Sequence, residues 1–266
     1  MVLRIRQRIG EALSKTKSGE TRTPVTPLVL GRRAWAFVAV AAVLLWAVAL
    51  ALWTQGDIDR LILVEHNALR GNDSAAGVFK SISGYGMAFI VFVVLAHLVL
   101  AVRFKTPKGA HMAYLLIIFS YGIGGITGDL LKPVFNRPRP FVEYADEITP
   151  LSHPATPSMP SGHATKSMAL ALPFTIFVSN RRWWGRVMRG AVLAVALAVG
   201  YARIVMGVHY ASDVLAGIGV ATACLPLVVW AANKIGRRAT QEKLGVMVRV
   251  WGAILFFLML YLLKYS

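Results

Sequence analysis

AHMAYLLIIFSYGIGGITGDLLKPVFNRPRP, residues 110–140, contains both textures from which the chain is built. Ala110 to Leu131 is a mainly apolar run with Asp129 near its end, and Lys132 to Pro140 is cationic and punctuated by prolines. A run of about twenty apolar residues has the length of a helix that crosses a hydrocarbon core. Prolines and cations at its end stop the helix and mark a membrane face. The same alternation recurs in Ala34 to Trp53, Gly84 to Val102, Ser161 to Ser179, Gly190 to Met206 and Ser212 to Ala232. The expectation is an all-α integral membrane helix bundle with six core transmembrane helices. A last run, Val250 to Leu263, extends back to Val246 if Arg249 snorkels, and reads as a possible seventh span or an interfacial helix.

Three segments follow: residues 1–33 as a basic N-terminal tail, 34–232 as the six-span domain, and 233–266 as a basic loop with a C-terminal hydrophobic helix. Within the tail, Arg6 to Leu13 reads either as a short helix at an anionic membrane surface or as disordered chain. Ile58 to Leu69 has helical apolar spacing and is predicted to lie along the interface. The first run lies too far from the start, and is too long, for an ordinary cleaved signal peptide, and is read as an uncleaved span.

The chain has 266 residues, 56% hydrophobic and 15% charged, with a formal net charge of +17. Most of that charge lies in loops between apolar runs, which points to membrane orientation and away from nucleic acid. With the N-terminus in the cytoplasm, the tail carries eight Lys/Arg and the three inner loops carry three, four and five; the outer loops carry three, three and one. The asymmetry sets the orientation. It also brings Lys132–Pro140, Pro160–His163 (PSGH) and Arg203–Asp213 (RIVMGVHYASD) to one outer face. Cys224, the single cysteine, sits in an apolar run and forms no disulfide within the chain.

Phosphate esters resist attack because their oxygens repel nucleophiles, so an enzyme must neutralise them, align a nucleophile and protonate the leaving oxygen. The three polar stretches contain the parts. Lys132, Arg139 and Arg203 are cations suited to phosphate oxygens, Arg as a fork and Lys as a point charge. Ser161 and Gly162 begin an apolar helix whose free amides favour an anion, and His163 sits in its first turn. Asp213 lies four residues after His209; on a shared helix face it can hold one imidazole nitrogen and leave the other as a nucleophile. The outer loops show no carboxylate cluster suited to Mg²⁺ and no HExxH-type zinc motif.

These residues reproduce, in order, Lys-x6-Arg-Pro, Pro-Ser-Gly-His and Arg-x5-His-x3-Asp. The chain resembles the type 2 phosphatidic acid phosphatase family of membrane lipid phosphatases, relatives of vanadium-dependent haloperoxidases and bacterial acid phosphatases. The resemblance implies that His209 attacks phosphorus, Asp213 orients it, and His163 protonates the leaving group and then activates water. It assigns phosphate binding to Lys132, Arg139, Arg203, Ser161 and the Gly162 amide, with no metal or other cofactor. It implies a lipid phosphate substrate taken from the bilayer: undecaprenyl diphosphate, phosphatidylglycerol phosphate, phosphatidic acid or lipid A. Ala202 is a departure, since the family usually has Ser before the third-motif Arg.

The expected setting is a bacterial inner membrane with the site facing the periplasm. A phosphotransferase, or a non-catalytic lipid binder or transporter on the same scaffold, remains an alternative. Three further residues are secondary candidates. Arg137 is read as touching either phosphate or the interface. Lys166, three residues after His163, contacts a second phosphate or an acidic partner, or snorkels. Asp129 orients Lys132 by a salt bridge, or caps or pairs elsewhere. His66, His97, His111 and His153 have no neighbouring ligand set, and Trp183 with Trp184 reads as an interfacial aromatic belt.

Overall fold

The computed structural model describes residues 28, 30–103, 110–178, 182–236, 246, 250 and most of 252–261. Arg6 to Leu13, read as either a surface helix or disordered chain, lies outside the described residues, as do much of the basic loops and parts of the run Val246 to Leu263. Eight helices carry the main body: α1 (Arg32–Thr54), α2 (Gly56–Ala68), α3 (Asp73–Arg103), α4 (Ala110–Phe135), α5 (Pro140–Glu143), α6 (Gly162–Phe177), α7 (Trp183–Val205) and α8 (Ala211–Gly236). A shorter apolar helix, Gly252–Tyr261, occupies the described part of the C-terminal run.

Among the described residues five of these helices, α1, α3, α4, α7 and α8, are long and apolar enough to cross a membrane. The expected run at Ser161 to Ser179 departs from this pattern. Its helix, α6, has 16 residues, about 24 Å at the rise of an α-helix, which is short against a hydrocarbon core of about 30 Å. The reason lies in its place. α6 packs against α3, α4, α7 and α8, and Ala164, Thr165 and Ser167 to Ala171 are all buried. A helix enclosed by other helices is not matched to lipid thickness. By contrast α1 packs chiefly on α8 and leaves Phe37, Val43 and Leu44 on the outside.

Lipid tails are as apolar as leucine, so helices in a bilayer associate through close packing of small residues rather than by exclusion of water. The centre of this bundle follows that rule. Gly124 and Gly128 of α4 face Ala169 and Thr165 of α6. On the other side, a Cβ at Gly217 of α8 would lie 2.6 Å from the Ser161 carbonyl oxygen and 3.2 Å from Ala164 Cβ. The start of α6 is therefore pressed onto α8, and this contact fixes the distance between the second and third polar stretches.

α2 is helical as its spacing predicts, and one face of it is docked on the bundle. Asp59, Leu63 and Asn67, four residues apart, are all buried. Asn67 Nδ2 donates to the Val205 carbonyl at 2.8 Å, and its Oδ1 accepts from the Thr149 amide at 3.1 Å. The helix thus ties the end of α7 to the loop that crosses the site. Asp59 and Asn67, either side of the apolar Leu63, are buried polar groups, and docking supplies the hydrogen-bond partners they need.

Gly217→Val should lower the thermal midpoint of the detergent-solubilised protein, at a cost of about 1–3 kcal/mol for overpacking. An unchanged midpoint would show that α6 and α8 do not approach as closely as the geometry requires.

Candidate active site

Each polar stretch is shaped by a local device. α4 ends at Phe135, and Asn136 takes a left-handed φ of 41°, a conformation that Asn tolerates and that stops helices. Its amide still reaches the Lys132 carbonyl at 2.8 Å, so Lys132 stays on the last helical turn while Arg137 and Arg139 enter an extended strap. Ser161, after a cis Met159–Pro160 peptide, is the N-cap of α6. Its own amide donates to the Asp213 carbonyl at 2.9 Å, joining the second and third stretches. Between α7 and α8 the chain turns at Gly207, whose φ of 69° and tight contact with Ile148 and Asn67 suit glycine.

That turn delivers His209. α8 begins at Ala211, so His209 and Asp213 do not share a regular helix face. Instead Asp213 folds back over the helix start. Its Oδ2 accepts the Tyr210 amide at 3.0 Å and lies 3.3 Å from His209 Nδ1. Ser158 Oγ also donates to Oδ2, and Arg137 Nη1 donates to Oδ1 at 2.9 Å. With Nδ1–H facing the carboxylate, the lone pair sits on Nε2, 3.3 Å from Arg139 Nη1. His209 is in the connection between two spans, and burial pushes its imidazole down to about 3 against the opposing pull of Asp213. It is neutral at physiological pH.

Lys132, Arg139, Gly162, His163, Arg203 and His209 line one cavity of about 320 Å³. Lys132 Nζ donates to the Pro157 carbonyl at 2.9 Å. Arg139 donates to the Thr156 and Val208 carbonyls at 2.7 and 2.8 Å, and Arg203 Nη1 donates to Ser83 Oγ at 2.9 Å. All three cations are held by neutral acceptors, so their charge is left for the cavity. Among the described residues, Ser161 Oγ and Arg203 Nε are buried side-chain atoms with no hydrogen-bond partner. A buried donor left unsatisfied is costly; Arg203 lines the cavity, where an oxyanion would be a partner, and Ser161 directly precedes the lining Gly162.

The secondary candidates fall differently. Arg137 does not line the cavity. It is 6% exposed and runs behind Asp213 to Asp59, 2.9 Å from Asp59 Oδ2. Its guanidinium lies 3.7 Å from the Tyr210 ring centroid. Asp129 pairs with Lys166 at 3.4 Å, not with Lys132, because one turn of α6 brings the lysine to the carboxylate while Lys132 turns inward to Pro157. The Asp129–Lys166 pair lines the same cavity on its more exposed side. Ala202 is fully buried and does not line the cavity.

Sequence reasoning overlooked Asp59, Ser158, Ser212 and Thr156. Ser158 lies two residues before the PSGH motif, within reach of a reader who asks how Asp213 is satisfied. Asp59 carried no signal beyond being a carboxylate in an apolar helix.

Residues 113–237 match the model of the PAP2 superfamily. A relative, undecaprenyl-diphosphatase BcrC of Bacillus subtilis, is 32% identical over 160 residues, 59% of this chain and 74% of that protein. This chain belongs to the PAP2 superfamily. It is also similar to the lipid A 1-phosphatase of Rhizobium etli, 35% identical over 114 residues, 41% of this chain. That match spans 44% of the Rhizobium protein, less than half its length. The crystal structure of a transmembrane PAP2-type phosphatidylglycerolphosphate phosphatase from Bacillus subtilis shares the fold, with a TM-score of 0.57 at 20% identity, covering 76% of this chain and 98% of that one. The matched segment contains all three polar stretches.

If the unpaired donors form an anion site, millimolar orthophosphate should raise the thermal midpoint of the purified protein, and Arg203→Met should abolish most of that shift. A shift of full size in Arg203→Met would remove Arg203 from the site.

Proposed function

We propose that this protein is an integral membrane lipid phosphatase that hydrolyses a lipid phosphate or diphosphate through a phosphohistidine. The observation that carries the reading is the pairing of a neutral, carboxylate-held His209 with two orphaned buried donors, Ser161 Oγ and Arg203 Nε, beside one cavity. A site built for a nucleophile alone would not need the donors, and one built only to bind anions would not need the histidine–carboxylate pair.

The phosphoryl group sits among Lys132, Arg139, Arg203, Ser161 and the Gly162 amide, which spread its negative charge. His209 Nε2 attacks phosphorus as the bond to the lipid oxygen breaks, and Asp213 stabilises the imidazolium that forms. His163, which lines the same cavity, gives a proton to the departing oxygen. With that proton given up, it takes a proton from water as the water oxygen attacks phosphorus; the phosphorus–nitrogen bond breaks, its electron pair returns to His209 Nε2, and orthophosphate leaves. Fixed cations supply the neutralisation in this scheme.

The cavity also has an apolar side, formed by Gly84 and Met87 of α3 and Tyr121 of α4. This suits a headgroup that enters while its tails remain in the bilayer. We read α6 as the central member of a six-span bundle, and the distribution of Lys and Arg sets the site on the outer, periplasmic face of a bacterial inner membrane. Undecaprenyl diphosphate, phosphatidylglycerol phosphate, phosphatidic acid and lipid A are the substrates to compare.

In detergent with EDTA, orthophosphate should be released from one or more of these lipids, and His209→Ala should lose the activity by about a thousandfold or more. Activity surviving in His209→Ala would overturn the mechanism. Transfer to an added acceptor without orthophosphate release would replace hydrolysis by phosphotransfer. A second test uses pH. Protonated His209 cannot attack, and its pKa is lowered to about 3 from an ordinary 6.5. Followed by NMR of isotope-labelled histidine, assigned with His209→Ala, the His209 imidazole should therefore stay neutral as the pH falls through 6.5. Protonation near 6.5 would mean that His209 titrates as a solvated histidine.

A further inference from the structure

Behind His209 and Asp213, on the side away from the cavity, lies a second carboxylate. Asp59 of α2 is fully buried. Its Oδ1 accepts the Ser212 amide at 3.1 Å, and its Oδ2 accepts Arg137 Nη2 at 2.9 Å together with Ser212 Oγ. Arg137 uses its other terminal nitrogen for Asp213 Oδ1, at 2.9 Å. One guanidinium is therefore shared between two buried carboxylates, one of which holds the proposed nucleophile. Asp59 does not line the cavity, and it lies before residue 113, outside the segment matched to the family.

We propose that Asp59 is a positioning residue for the His209–Asp213 pair, acting through Arg137 and Ser212. The inference rests on the phosphohistidine reading above. Its physical content is charge division. With both carboxylates ionised and Arg137 charged, the cluster has one net negative charge beside an imidazole that becomes positive when phosphorylated. Because Asp59 takes part of the guanidinium's field, Asp213 keeps negative charge for His209. Without the charge of Asp59, Arg137 is balanced by Asp213 alone, and the imidazolium loses stabilisation in a site of low dielectric. The contact to the Ser212 amide also fixes the first turn of α8, from which Asp213 projects.

A residue that acts this way changes the chemical step and leaves substrate binding alone. In the full-length protein, with the lipid that the wild type hydrolyses best, Asp59→Asn should lower kcat roughly ten- to hundredfold, with KM within about threefold of wild type. Asn keeps the shape and an acceptor for the Ser212 amide, so a thermal midpoint measured alongside separates charge from folding. The decisive variant is the double substitution Asp59→Asn with Arg137→Gln, which restores the single net negative charge. It should recover kcat about tenfold relative to Asp59→Asn.

Wild-type kcat in Asp59→Asn, a change in KM alone, or a double variant no better than Asp59→Asn would each overturn the proposal. If Asp59→Asn does not fold, Arg137→Gln becomes the reference. With the guanidinium gone Asp59 has no charge to divide, so the double variant should match Arg137→Gln in kcat within about threefold, and a double variant tenfold or more below it would count against action through Arg137. Failure of the phosphohistidine reading shows separately, as activity retained in His209→Ala.

Discussion

One buried carboxylate organises this molecule. Asp213 is removed from water, and an ion in such a place must be surrounded by donors or the fold loses several kcal/mol. Its donors come from well-separated parts of the chain: Arg137 after α4, Ser158 before α6, and His209 and Tyr210 in the turn before α8. Its main-chain carbonyl takes the Ser161 amide as well. To satisfy this one residue is to bring the three polar stretches together. The helices set the distances, but the charge selects which loops meet.

The cations around it divide into two kinds by what holds them. Arg137 is held by carboxylates, so its charge is matched within the protein. Lys132, Arg139 and Arg203 are held by carbonyl oxygens and a hydroxyl. Neutral acceptors orient a cation without cancelling its field, which is what a preorganised anion site needs. The unpaired Ser161 Oγ and Arg203 Nε belong with the second kind. The back of the site is saturated and the front is not, and this asymmetry is the physical basis for placing a phosphoryl group at the front.

The bundle makes this arrangement affordable by enclosing it. α6 is short and central, pressed against α4 and α8 through glycine and alanine contacts. Longer side chains there would push Ser161 and His163 away from His209. The outer helices carry the large apolar side chains that face lipid. α2, too short to span and set against the end of α7, links the back of the site to the rest of the body through Asp59 and Asn67.

Much of this was legible before any coordinates. Apolar runs of membrane length, the bias of Lys and Arg among the loops, and the types and spacing of Lys132, Arg139, His163, Arg203, His209 and Asp213 depend on composition and order, so the sequence by itself determined the helical membrane class and the contents of the site. Only the tertiary structure decided where each charge points. Arg137 and Arg139 are two residues apart, yet one faces Asp59 and the other His209. Asp129 lies three residues from Lys132 and pairs with Lys166 on another helix. Asp59 sits 154 residues from the aspartate it serves through Arg137. A side chain's partner is set by what surrounds it in three dimensions, and in an extended strap such as 136–139 small backbone rotations redirect neighbouring side chains. α6 reads as one more apolar run, and its small residues Ala164, Thr165 and Ala169 gain their meaning only from the glycines of α4 and α8 that pack on them.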